Sequence, residues 1–215
     1  LIQTIMVGDL FYLKMLNMSK PPSDNENKVI DFFTRKPYDI DHFNNHDSSG
    51  ILLADFINGV KPEGLVIDAG CGINPFKKKI KNLIGFDAAP YPEADFQATF
   101  NQAHQIFGRD FADVVLALGS CNFGPVEENV YYFDKFYSWL KKGGLCIVRV
   151  HLNRAEIHME ADTEYANWTI PNADDCAFKW FKDKFKVLDM HIETMISIRD
   201  GTTPVQLAVW VWKKL

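Results

Sequence analysis

The segment Asp68-Ala69-Gly70-Cys71-Gly72-Ile73-Asn74-Pro75 sets a carboxylate two positions before the first glycine of a Gly-x-Gly loop. Glycine permits a sharp turn and a close approach of backbone to ligand. A dinucleotide site asks for a third glycine and a helix N-terminus aimed at a pyrophosphate. Here Pro75 stands at the third glycine position, and the Asp68 carboxylate would repel a pyrophosphate. The same carboxylate favours a ligand with an ammonium group. Further on, Asp87 ends a short apolar run, Ile84-Gly85-Phe86-Asp87, and offers two acceptors to the paired hydroxyls of a ribose.

These groups need a frame. Gly64-Leu65-Val66-Ile67-Asp68 reads as a buried strand running into the loop, and Asn82–Phe86 as a second, ending on Asp87. Asp95–Ala98 reads as a short third and Asp113–Leu118 as a fourth, nearly all apolar as a central parallel strand should be. Leu145–Val150 is a fifth. Before them, Ile51, Leu52, Ala54, Phe56 and Ile57 have helical spacing, with a stop near Gly59. Between strands four and five a helix is expected from Glu127 and Glu128, whose acids suit its N-terminal dipole, to a stop at Gly143. Another helix is expected from Asp174 and Asp175. Met190–Ile198 and Val205–Val211 alternate as two strands around an Arg199–Pro204 turn and should pair antiparallel. Alternating strands and helices imply a mainly parallel sheet with helices on both faces. Ligands of such sheets bind beyond the strands' carboxyl ends, where the strand order reverses. The glycine loop stands at that place.

The chain has 215 residues, 47% of them hydrophobic, enough for one well-cored domain. Net charge is −5, which opposes broad nucleic-acid binding, since that requires lysine and arginine to displace counterions. Only a local basic groove would serve. The one dense basic run, Lys77, Lys78, Lys79 and Lys81, reads as a solvated helix face. Cys71, Cys121, Cys146 and Cys176 show neither a close pair nor zinc spacing, so reduced thiols and no metal are expected. Residues 1–17 are too short and too polar to span a bilayer and lack signal-peptide features. They read either as a non-native extension ahead of Met18 or as a docking amphipathic helix. Residues 19–28 read as a linker or irregular arm. The division expected is an N-terminal arm or helical lid over 1–50 and the main domain over 51–215.

Val66–Gly72 resembles motif I of the class I methyltransferases that use S-adenosylmethionine (SAM). Ile84–Asp87 resembles their second-strand motif, Asp113–Leu118 their fourth-strand motif, and Leu140-Lys141-Lys142-Gly143-Gly144 the turn before strand five. The resemblance spans roughly residues 50–213. With Asn74-Pro75, a very short second crossover and Leu118–Gly124, the chain is similar to uncharacterised methyltransferases of marine phages, which would place it in a host cytoplasm.

The resemblance implies a Rossmann-like three-layer sandwich. Its sheet would have seven strands in the order 3-2-1-4-5-7-6, with a C-terminal antiparallel hairpin. It implies SAM as cofactor, with S-adenosylhomocysteine as product, held by Asp68, Ala69, Gly70, Cys71, Gly72, Asn74, Pro75, Asp87, Ala88, Gln97, Thr99, Leu118, Gly119 and Ser120. Family members often set an acid after strand three against the adenine amino group. Thr99, flanked by Gln97, stands there instead.

The acceptor is not legible. Gly119-Ser120-Cys121-Asn122 does not match the amino-methylating DNA enzymes. Cys121 and Glu128-Asn129-Val130 imitate the cytosine C5 enzymes only by coincidence, since no proline precedes Cys121. An N or O of a small molecule is the expectation. His151, followed by Arg154, Glu156 and His158, is the candidate base, and His42 and His46 are candidate lid residues. The competing readings are a SAM-binding or partner-binding module without catalysis and, more weakly, a nicotinamide oxidoreductase. Neither oligomeric state nor pathway follows from these residues.

Overall fold

A computed structural model of the chain describes residues 21–35, 50–121, 126–151, 183–196 and 204–215. Four helices fall within them: α1 (Asp24–Arg35), α2 (Gly50–Val60), α3 (Phe100–Phe107) and α4 (Val126–Trp139). Seven strands form one sheet: β1 (Val66–Ala69), β2 (Leu83–Asp87), β3 (Phe96–Gln97), β4 (Ala112–Leu118), β5 (Leu140–His151), β6 (Phe185–Ile196) and β7 (Pro204–Lys214). Their order is β3-β2-β1-β4-β5-β7-β6. β3, β2, β1, β4 and β5 run parallel, while β7 pairs antiparallel with β5 and with β6. This is the expected Rossmann-like sheet with its antiparallel hairpin.

Side chains on a strand point alternately to opposite faces, and the core divides accordingly. Ile67, Val115, Ala117, Cys146, Val148, Trp210 and Trp212 join one cluster with Phe107 of α3 and Phe136 and Trp139 of α4. Val66, Val114, Leu116, Leu145, Ile147 and Val211 join the other, with Ala54 and Ile57 of α2. The central strands are buried on both faces, which explains their unbroken apolar runs.

Several expectations are corrected. Residues 19–28 are not wholly irregular, because α1 begins at Asp24. Its start is a reciprocal cap. Ser23 Oγ accepts the Glu26 N–H at 3.1 Å, and Glu26 Oε2 accepts the Ser23 N–H at 2.8 Å. Helix α3, absent from the sequence reading, starts with a similar box between Thr99 and Gln102. The lysine run lies on no helix. Residues 71–82 form a chain of turns, because Gly72 and Asn74 both take positive φ, 52° in each case, and Pro75 follows. Lys77 Nζ then bonds to Leu83 O and Asp95, and Lys81 to Glu63. Helix α4 stops at Trp139 rather than Gly143. The Leu140–Gly144 segment already belongs to β5, whose pairing with β4 shifts register between Ala112 and Val114 of β4. The helix expected from Asp174, the Arg199–Pro204 turn, Arg154, Glu156, His158, His42, His46 and Cys176 lie largely or wholly outside the described residues.

Candidate functional site

The β1 loop is shaped by contact with its neighbours. Gly70 has φ +76°, and a Cβ built on it would lie 2.3 Å from Ser120 Cβ. Only glycine lets the β1 loop and the β4 loop meet this closely. Ser120 Oγ donates to Ala69 O at 2.5 Å and seals the junction. Gly70 and Cys71 both donate their N–H groups to Phe86 O.

Asp87 closes the loop from the other side. Its Oδ2 accepts the Gly72 N–H and its Oδ1 the Ala89 N–H, each at 2.8 Å. The backbone donors do not take all four lone pairs of the carboxylate, so acceptor capacity remains for a ligand. Burial pushes the Asp87 carboxyl up to about 6, with the backbone donors at Ala89, Gly72 and Ala88 acting in the opposite sense. Asp68 is 3% exposed. Desolvation, then the Asp87 charge, push its carboxyl up to about 7, and Arg149 opposes this. Two neighbouring buried carboxylates with raised proton affinity make a place for a cation.

A cleft of about 750 Å³, including the solvent at its mouth, opens over these strand ends. Of the residues anticipated from sequence, Gly70, Gly72, Asp87, Ala88, Thr99, Leu118, Gly119 and Ser120 line it. Asp68, Ala69, Cys71, Asn74, Pro75 and Gln97 do not. Asp68 and Ala69 form the end of β1 behind the loop. Cys71 is buried, and burial drives its thiol far above the usual range. Asn74 is 4% exposed and acts as an internal brace. Its Nδ2 donates to Glu93 O at 3.0 Å, and its amide lies where a Cβ on Gly85 would come within 2.7 Å. Gln97 is exposed, and its Nε2 donates to Ala88 O. Thr99 is buried as the cap of α3, its oxygen accepting from Gln102 N. His151 ends β5, opposite Leu207.

The reading from sequence missed the other half of the cleft. Asn25, Glu26, Val29 and Phe33 of α1 cover it, with Tyr91, Phe100 and Tyr132 completing the wall. Glu128 of α4 ties α1 down, accepting from Ser23 Oγ at 3.1 Å, Asn25 Nδ2 at 2.8 Å and Tyr132 Oη at 2.6 Å. Phe33, Ile73, Ala89 and Tyr91 pack together beneath α1. The Ser23-x-x-Glu26 spacing was the available signal for this helix.

The chemistry of the lining is selective. Among the described residues it contains the carboxylates of Glu26 and Asp87 and no lysine or arginine. No helix N-terminus follows the glycine loop, because residues 71–82 are turns. The two features that bind a pyrophosphate are thus missing there, while acceptors for hydroxyl, amino and ammonium groups are present. Among the described residues no group of His, Cys, Asp and Glu could hold a metal ion, and no helix is long and apolar enough to cross a membrane.

No protein-family model matches the chain, and no curated protein matches its sequence. Solved structures do match its fold. A SAM-dependent methyltransferase from Anabaena variabilis is 15% identical over 92% of this chain and 98% of its own, with a TM-score of 0.66. The 1,6-didemethyltoxoflavin-N1-methyltransferase of Burkholderia thailandensis, solved with 1,6-didemethyltoxoflavin and S-adenosylhomocysteine, is 13% identical over 91% and 92%, with a TM-score of 0.65. The N-methyltransferase NodS of Bradyrhizobium japonicum, in complex with S-adenosylhomocysteine, is 11% identical over 89% and 99%, with a TM-score of 0.59. The chain therefore has the mixed α/β, Rossmann-like fold of SAM-dependent methyltransferases.

Proposed function

We propose that the chain is a SAM-dependent methyltransferase acting on an N or O atom of a small molecule. The observation that carries this reading is the carboxylate floor of the cleft. Asp87 within it and Asp68 behind it stand where a dinucleotide site would present a helix N-terminus. A ligand with a ribose diol and an ammonium fits that set. Asp87 would accept from the ribose hydroxyls through its free lone pairs. Gly70, Gly72 and Ser120 would line the amino-acid end, and the Asp68 charge behind the loop would favour its ammonium. The neighbouring methyltransferase structures solved with S-adenosylhomocysteine support the same ligand.

When bound, SAM supplies an electrophilic methyl group on a sulfonium, open to in-line displacement by an acceptor lone pair. The protein's part is to hold the two reactants aligned and to exclude water. The lid α1 serves the second purpose by covering the cleft. His151 is the proposed base. It ends β5 two positions beyond Arg149, whose carbonyl accepts the Gly119 N–H of the cleft rim.

Calorimetry with S-adenosylhomocysteine tests the ligand, and binding in the micromolar range is expected. No heat at millimolar ligand would sink the reading. Release of S-adenosylhomocysteine from SAM with a pool of small amines and hydroxy compounds tests the reaction. Tight ligand binding with no turnover would favour the silent binding module. His151→Gln should lower kcat by about 10²-fold or more, the usual worth of a general base, with ligand affinity unchanged.

A further inference from the structure

Resting on the proposed S-adenosyl reading, we infer that Glu26 of the lid, with Thr99, recognises the amino edge of the cofactor's adenine.

The sheet orients the ligand. β3 and β4 lie on opposite sides of the β2–β1 pair. A ligand whose diol sits at Asp87, on β2, extends one end toward Ser120 beyond β4 and the other toward Thr99 and Phe100 beyond β3. The glycine loop and Asp68 claim the charged end. The base therefore falls at the β3 end, where the cleft wall includes Val29, Phe33, Phe100 and Tyr91, a lining suited to a flat apolar ring.

Glu26 is at that end. Its Oε1 accepts from Asn101 Nδ2 at 3.2 Å and from Asn101 N at a long 3.5 Å, both groups at the start of α3. It lines the cleft while only 5% of the residue is exposed. Beside it, Asn101 is 7% exposed, and its Oδ1 has no hydrogen-bond partner. A buried carboxylate and an unpaired amide oxygen together make a local excess of acceptors. Each Glu26 oxygen keeps a lone pair beyond its bonds to Ser23 and Asn101, and of the two groups it is Glu26 that faces the cleft and would accept from an amino group entering it. Thr99 differs. Its oxygen already accepts the Gln102 N–H, so its hydroxyl hydrogen remains to be donated. An acceptor at Glu26 and a donor at Thr99 match adenine, which presents an amino donor beside the N1 acceptor. A 6-oxopurine presents the reverse pattern. The carboxylate absent after β3 is thus supplied by α1, far away in sequence.

Calorimetry with S-adenosylhomocysteine and S-inosylhomocysteine, which differ at that edge alone, tests the assignment. The wild-type chain should prefer the adenosyl compound by about 100-fold or more, as sites built around a hydrogen-bonded group do. Glu26→Gln, whose amide can also donate to a 6-oxo group, should reduce the ratio at least tenfold. Ser23→Ala breaks the same helix cap but leaves the carboxylate, so it should weaken both ligands equally and preserve the ratio. Wild-type binding of both ligands with equal affinity would overturn the inference and leave the S-adenosyl reading standing. Equal weakening of both ligands by Glu26→Gln would also overturn it, reducing Glu26 to a clamp between α1 and α3. Failure of the wild type to bind either ligand would overturn both.

Discussion

Gly70 and Ser120 meet so closely that a single methyl group on Gly70 would come within 2.3 Å of Ser120 Cβ. The β1 and β4 loops are joined at this point, and the Ser120 hydroxyl is bonded to Ala69 O beside it. The floor of the cleft depends on that junction. Gly70→Ala should therefore destabilise the fold by about 1–3 kcal/mol through overpacking and an unfavourable φ. The melting temperature should fall by several degrees, and ligand affinity should fall with it. Adding Ser120→Gly should recover part of the stability, since the two side chains compete for one volume. A thermal melt of the single and double variants checks this, and strict additivity would contradict it.

On the proposed reading, the Asp68 charge favours the bound ligand and disfavours the empty fold. Its carboxyl is pushed up to about 7 by burial and by Asp87. A shift of that size corresponds to roughly 4 kcal/mol between its charged and neutral forms. Asp68→Asn removes the charge while keeping the shape. The variant should melt several degrees higher than wild type at about pH 8 and bind S-adenosylhomocysteine at least tenfold more weakly. Lower stability at pH 8 would show that the charge is compensated in the free protein.

The pH dependence follows in sign. Both carboxyls have folded values above the ordinary 3.8, so their ionisation opposes folding. This contribution is absent below about pH 4 and complete above about pH 7. The free protein should lose that increment of stability progressively as pH rises from about 4 to about 7. A ligand carrying an ammonium favours the ionised pair. Affinity for S-adenosylhomocysteine should thus rise between about pH 5.5 and 7.5, with protons released on binding. Calorimetry in buffers of different ionisation heat measures the release. Proton uptake across this range would refute the assignment.

Glu128 anchors α1 through Ser23 and Asn25 and is itself braced by Tyr132. Glu128→Ala should leave the sheet core intact but free α1. Hydrogen exchange of residues 24–35 should accelerate, and the ligand dissociation rate should rise by about tenfold, the worth of one or two charge-assisted hydrogen bonds. Unchanged exchange in α1 would mean that the apolar contacts around Phe33 hold it unaided.

Local order determined much of this molecule, and it was legible in the sequence. The apolar runs before Asp68 and Asp87 and through Asp113–Leu118 could only be strands buried on both faces. The alternation in the last 30 or so residues marked the antiparallel pair (about the span from Met190 onward). The acid and glycines of the β1 loop identified one class of ligand and argued against another. Two helix starts were also written locally, at Ser23-x-x-Glu26 and Thr99-x-x-Gln102. The first was obscured by two prolines and a polar stretch, the second by its shortness. The lysine run misled because a charge pattern carries no information about φ, and φ at Gly72 and Asn74 prevents a helix there. What only the tertiary structure decided is the cleft's upper wall. Glu26 meets Asn101, and Ser23 and Asn25 meet Glu128, across long separations in the chain. No periodicity records such pairs. They exist because the sheet brings α3 and α4 to one face, leaving an apolar and acidic opening that α1 then covers.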